Sequence, residues 1–179
     1  DATDGGDVLG RRLSMALTPQ GAAFPIAQGP GVAEDPVIGR DPGDPRYLLV
    51  LYSDDRNGNR DIYGTRVAQT GLPRGGPTGG QFPVVQSPED DYAPALAVAY
   101  LATDRPTQDS ARHVLLWTTD TVADGPDVLG QRVGASGLPL GRPFTVAGGP
   151  GNQSRPGVTL NGSEEWLAVW NADQGGTLD

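Results

Sequence analysis

The feature that most constrains this fold is a recurrence. The stretch from Tyr52 to Val67, YSDDRNGNRDIYGTRV, returns more loosely around Asp127 as WTTDTVADGPDVLGQRV. Its second half opens the chain as DATDGGDVLGRRL, and its first half closes it as WNADQGGTLD. Each copy joins an aromatic at the end of an apolar run to a loop of Asp, Asn and Gly. Asp, two apolar residues, Gly, any residue, Arg and an apolar residue follow. The aligned Asp7, Asp61, Asp127 and Asp179 lie 54, 66 and 52 residues apart. Units this short cannot bury their apolar faces alone, so neighbouring copies must pack on one another.

Spacing inside the unit is as informative as its spelling. After the aligned Arg12, Arg66 and Arg132 come Phe24, Phe82 and Phe144. Each of these precedes its proline, Pro36, Pro94 or Pro156, by 12 residues. A constant interval through weakly similar sequence implies a constrained structural passage. The length differences sit elsewhere, in Gly75 to Gly80 and in the polar insertion Asp104 to Ser110, both of which read as loops.

Four strands per unit account for the apolar runs. The first follows the proline (Val37 and Ile38, Ala95 to Tyr100, Val158 to Leu160). The second closes on the aromatic (Tyr47 to Tyr52, Val114 to Trp117, Trp166 to Trp170), and its apolar character on both faces predicts a central position. The third is Val8 to Leu13, Ile62 to Val67 and Val128 to Val133. The fourth is Phe24 to Ala27, Phe82 to Val85 and Phe144 to Ala147, entered through hairpins such as Gly137-Leu138-Pro139. Most of the 27 Gly and 17 Pro fall between these runs, and no window reads as a helix longer than two turns.

The predicted fold is therefore all-β: antiparallel four-stranded sheets repeated as propeller-type blades, about three repeats, with an incomplete blade at each terminus. The divisions are 1–35, the second half of a blade; 36–93 and 94–155, whole blades; and 156–179, the first half of a blade. A β-sandwich of unequal hairpins is the competing architecture, but it gives no reason for the repetition.

The motif aromatic-x-D-D-R-N-G-N-x-D-I-Y-G-x-R-V resembles the tandem repeats of large exported bacterial proteins of β-propeller type, TolB-like or sialidase-like in style. The resemblance is close for Tyr52 to Val67 and degenerate in the other copies. It implies architecture and an extracellular or cell-surface location rather than a reaction.

A net charge of −9 argues against a nucleic-acid partner, which would require clustered positive charge. No apolar stretch is long enough to span a bilayer. The absence of cysteine removes disulfides and thiolate chemistry. With neither an initiator Met nor a leader sequence, the chain reads as a piece of a longer or processed protein.

Of the acids 18 are Asp and 4 are Glu, and many of the Asp fall in loops that contain Gly or Asn, which suits turns and oxygen-rich cation sites. The sharpest candidate is a Ca2+ site formed by Asp55, Asn57, Asn59 and Asp61, with oxygen side chains at alternate positions. It lacks the Gly and the final Glu of a complete EF-hand loop. Asp120, Asp124 and Asp127, Asp4 and Asp7, and Asp173 and Asp179 offer poorer versions. In the alternative reading, Asn57-Gly58 makes a turn and the carboxylates bond to loop amides.

No catalytic residues are assigned. A sialidase-type enzyme needs a Tyr with an adjacent acid and an Arg cluster, but Tyr52 and Tyr63 recur as Trp or Leu, so they read as packing residues. His113 opens an apolar strand and reads as a strand-edge residue. Arg66 is expected to lie over Gly64 and fork onto a loop carboxylate such as Asp54, with an anion-binding arginine as the functional alternative. The regular aromatics read as core layers, leaving Tyr92, Tyr100 and Trp166 as candidates for a contact surface. The expected function is a non-catalytic structural or adhesive module that contacts copies of itself, neighbouring repeats or glycans. Half-units at the two termini could complete one another as a ring or fibre. A fragment of a secreted carbohydrate-binding or glycoside-hydrolase-like propeller is the alternative.

Overall fold

A computed structural model of the chain describes residues 6–41, 44, 46–74, 80–98, 113–121, 125–134, 137–161 and 165–173. Tyr100, the insertion at 104–110, Asp4, Asp124 and Asp179 lie outside these residues, as does most of the Gly75 to Gly80 loop. Among the described residues all regular structure is β, in twelve strands that form antiparallel sheets.

The strands run β1 (Val8–Leu13), β2 (Pro19–Ala27), β3 (Ala33–Arg40), β4 (Tyr47–Asp54), β5 (Asp61–Ala68) and β6 (Gln81–Val85). They continue with β7 (Asp91–Val98), β8 (His113–Thr121), β9 (Gly125–Val133), β10 (Pro139–Ala147), β11 (Asn152–Leu160) and β12 (Trp166–Asp173). Strands β3 to β6 form one four-stranded meander and β7 to β10 a second. The pairs β1–β2 and β11–β12 form two-stranded sheets at either end. The repeat thus maps onto the sheets copy by copy, with β1–β2 matching the second half of a meander and β11–β12 the first.

Successive sheets pack face to face through three apolar layers. The first joins Val8, Ile26 and Ala27 to Val50, Tyr52, Tyr63 and Val67. The second joins Leu49, Leu51, Ile62 and Val84 to Leu115, Trp117 and Val133. The third joins Val114, Leu116 and Val128 to Val158 and Ala168. Because strand side chains alternate, Val50 and Tyr52 face the preceding sheet while Leu49 and Leu51 face the following one. That two-sided burial explains why the second strand of each unit reads as a continuous apolar run.

The constant interval between phenylalanine and proline ends in a β-bulge. Glu34 pairs with Ser53 and Val37 with Leu51, which leaves Asp35 and Pro36 together opposite Tyr52. In the same way Ala93 and Pro94 face Trp117, and Arg155 and Pro156 face Trp170. The residue before each proline takes a left-handed backbone, with φ of 52° at Asp35, 49° at Ala93 and 53° at Arg155. A bulge is where a strand tolerates the missing N–H of proline. The first strand therefore begins before its proline, earlier than expected, at Ala33, Asp91 and Asn152.

The glycine of the third strand has a defined role. Gly10, Gly64 and Gly130 pair with Phe24, Phe82 and Phe144 on the fourth strand. A Cβ at Gly64 would come within 2.9 Å of the Phe82 ring, so the glycine makes room for the ring. The expected partnership of Arg66 is corrected accordingly. Its guanidinium is 5.4 Å from the Phe82 ring centre and pairs with Asp41, while Asp54 pairs with Arg56.

Candidate functional site

The β4–β5 hairpin, the linkers between sheets and the three bulges all lie at one end of the stack, because β4 ends there and β3, β5, β7 and β11 begin there. The hairpin turns at residues 55–60, where the Gly58 N–H donates to the Asp55 carbonyl (2.9 Å) and Gly58 takes a φ of 102°. This is the Asn-Gly turn expected from the sequence.

The four residues proposed as a cation site go in three directions. Asp55 Oδ1 accepts from the Val32 N–H at 2.6 Å, in the linker before β3. Asn59 Nδ2 donates to the carbonyls of Ser87 (3.0 Å) and Glu89 (2.7 Å), in the linker before β7. Asn57 and Asp61 alone come together, Asn57 Nδ2 lying 3.4 Å from Asp61 Oδ2 and 2.6 Å from the Tyr63 hydroxyl. Asp61 is buried, and its Oδ2 also accepts from Gln86 Nε2 at 3.3 Å. Its Oδ1 is buried without a hydrogen-bond partner, as is Asp127 Oδ1 in the next copy. Among the described residues no three His, Cys, Asp or Glu side chains form a metal-binding group. Asp61 Oδ1, with the Asn57 amide nearby, is the atom of this set with coordination to spare.

The hairpin acts as a clamp between the linkers on either side. Arg56 donates to both carboxylate oxygens of the buried Asp54 and lies 4.3 Å from the Tyr63 ring centre. Arg60 donates through its backbone N–H to Asp90 Oδ1 (2.8 Å) and pairs with Asp90 Oδ2 (3.1 Å). Its guanidinium sits 4.0 Å from the Tyr92 ring centre, with Asp120 at 3.7 Å and Glu34 at 3.8 Å. The Asp91 N–H donates to the Arg60 carbonyl (2.7 Å), and the Ala33 N–H donates to the Gly6 carbonyl at the same place one unit earlier.

Beneath the clamp lies a buried polar cluster. Asp91 accepts from the Trp117 indole N–H (2.9 Å) and from the Ser87 hydroxyl (2.8 Å). Burial pushes its carboxyl above the usual range, against these hydrogen bonds, and the nearby Asp61 adds to the rise. In the last unit Trp170 donates instead to Gln153 Oε1 (3.0 Å). Gln153, like Asp91, lies three residues before its proline, so each tryptophan is matched by an acceptor there. Tyr52 has Ala33 in that place and shares a 3.2 Å hydrogen bond with Thr65 instead.

Among the described residues, the Tyr92 hydroxyl donates to an acid, Asp120 Oδ1, at 2.9 Å. Burial, reinforced by that hydrogen bond, pushes its hydroxyl up to about 12, the opposite of an activated nucleophile. His113 opens β8 but is buried rather than at an exposed edge. Its Nε2 lies 2.8 Å from the Arg40 carbonyl, and burial holds the imidazole below its ordinary range. A shallow depression of about 270 Å³ runs over the three bulges, lined by Asp35, Pro36, Val37, Ala93, Pro94, Arg155 and Pro156.

Sequence reasoning located the hairpin but missed the bulges and the tryptophan acceptors. Signals for both were present, in the constant interval to the proline and in the polar residue three places before it. No protein-family model, no curated protein and no solved structure matches this chain. Among the described residues, no helix is long and apolar enough to cross a membrane.

Proposed function

We propose that the chain is a non-catalytic structural or adhesive module of propeller-type repeats, exported and working at or beyond the cell surface. Its partners are copies of itself or neighbouring repeats. The observation that carries this reading is where the exposed apolar side chains lie. Leu9 and Leu13 are exposed on β1, and Leu167 and Val169 on β12, at positions whose counterparts in the complete sheets are buried, or at Leu129 partly buried. A sheet face of this kind, beside a strand edge that pairs with no other strand among the described residues, is a surface that soluble proteins normally cover. The clamp supports the same reading, since its charged side chains are spent on joining sheets rather than held for a reaction.

Sizing by light scattering tests it. Concentration-dependent oligomers, rings or filaments are the expected result, and a monomer at all concentrations would remove self-association. Calcium belongs to the proposal through Asp61 Oδ1, with Asn57 beside it and Asp55 and Asn59 on the same turn. Added Ca2+ is expected to raise Tm and chelator to lower it, and the same Tm in both removes the cation. The alternative, a carbohydrate-binding or glycoside-hydrolase-like fragment, draws on the depression over the bulges. A glycan and model-glycoside screen addresses it.

A further inference from the structure

We infer that β12 of one chain pairs antiparallel with β1 of a second copy in a single register, building a four-stranded sheet in the order β11, β12, β1, β2. The inference rests on the self-association reading above and specifies its geometry. In that register Trp170 lies opposite Leu9, Val169 opposite Gly10, Leu167 opposite Arg12 and Trp166 opposite Leu13.

The register comes from the two complete sheets, which agree with each other. Strands β4 and β5 pair Tyr52 with Tyr63, Leu51 with Gly64, Leu49 with Arg66 and Leu48 with Val67. Strands β8 and β9 pair Trp117 with Leu129, Leu116 with Gly130, Val114 with Arg132 and His113 with Val133. The repeat aligns β12 with β4 and β8, and β1 with β5 and β9. The same motif residues therefore meet across the new seam.

One joining event covers the apolar residues that the outer sheets leave open. Leu167 and Val169 are 59% and 58% exposed, where Leu49 and Leu51 are fully buried. Leu9 and Leu13 are 59% and 57% exposed, where Tyr63 and Val67 are buried in the first apolar layer. In the completed sheet, Trp170, Leu9 and Leu13 share the face turned toward β7 to β10. Leu167 and Val169 join Val8 and Ile26 on the other face, toward the second copy's β3 to β6. This continues an interface already present three times within the chain.

The hairpins mark the same joint. Gly71 lies against the Phe24 ring, and Gly137 lies against the Phe82 ring and Arg66, each hairpin resting on the unit before it. Their counterpart in the β1–β2 hairpin is Leu17, which is exposed with a φ of 60°. Phe144, the ring awaiting such a hairpin, is 49% exposed, and the new sheet would bring Leu17 of the second copy onto it. Within one chain β1 and β12 belong to the first and last sheets and do not pair with each other, and a second copy is the occupant that brings the matching register.

The cysteine-free chain makes the test direct. Chains carrying Leu167→Cys are mixed with chains carrying Arg12→Cys, or with chains carrying Arg11→Cys, and oxidised with diamide. Arg11 and Arg12 are both exposed, but a one-residue slip turns the side chain to the opposite face. The expected result is a mixed covalent dimer forming at least about tenfold faster with Arg12→Cys than with Arg11→Cys. Equal rates, a preference for Arg11→Cys, or no cross-link in either mixture while sizing still shows oligomers would overturn the register and leave self-association standing. No cross-link together with a monomer by sizing would overturn both. Melting curves of the three variants establish that each is folded.

Discussion

Trp117 and Trp170 occupy the same place in successive units, in the middle of the second strand opposite a bulged proline, and each indole N–H has a side-chain acceptor. Yet Trp117 is sealed between two complete sheets while Trp170 is 41% exposed. The difference teaches that a unit's own sequence forms the strand pair, the bulge and the hydrogen bond. Burial on both faces comes only from neighbours. Stability in such a chain is a sum of unit and interface contributions, with the outer units lacking part of the second.

The strongest way to break this comparison is to truncate both tryptophans. Trp117→Ala is expected to cost about 3–5 kcal/mol and Trp170→Ala about 1 kcal/mol or less, read from urea denaturation. Equal losses would mean that the outer half-sheet is as well packed as the inner ones. Next in size is the clamp. Arg56→Met leaves the buried Asp54 without its guanidinium and is expected to cost about 1.5–3 kcal/mol. Arg46→Met, which breaks the exposed pair with Asp44, is expected to leave the unfolding midpoint unchanged.

Adding a methyl sharpens the comparison further. Gly64→Ala is expected to cost about 1–3 kcal/mol, because Phe82 and Leu51 crowd that position from both sides. Gly10→Ala meets Phe24 and Ile26 and should cost less, since the outer sheet has only one packed face against which to strain.

The smallest effect is a pH dependence. The folded-state pKa of Asp91 is raised by burial, so its contribution is fully present below the ordinary aspartate range and is lost as pH rises through the raised value. Asp91→Asn removes that loss and keeps an oxygen for the Trp117 indole. Its Tm relative to the parent is expected to increase from pH 3.5 to pH 7, and a constant difference would mean that Asp91 ionises normally in the fold.

Much of this was legible in the sequence. The aligned Arg12, Arg66 and Arg132 and the apolar runs placed all twelve strands, because alternation and turn residues act locally. Boundaries were poorer where proline misled: Pro36, Pro94 and Pro156 read as strand starts, whereas each sits at a bulge inside a strand. The candidate site was less legible. Asp55, Asn57, Asn59 and Asp61 alternate along the chain, and alternation suggests a shared centre. In the fold, Asp55 and Asn59 are drawn to linkers more than twenty residues away. Nothing in the spacing shows that Arg56 pairs with Asp54, or that Asp41 returns beside β5 to meet Arg66.

The amino-acid order alone determined that this chain folds as repeated antiparallel sheets, since strand period, turn chemistry and repeat length are written along it. Only the tertiary structure decided which carboxylate meets which cation, where the bulges store left-handed backbone, and which copies of one apolar residue are buried. Those outcomes depend on what packs against a side chain from the next sheet, and contacts between sheets have no fixed spacing in sequence.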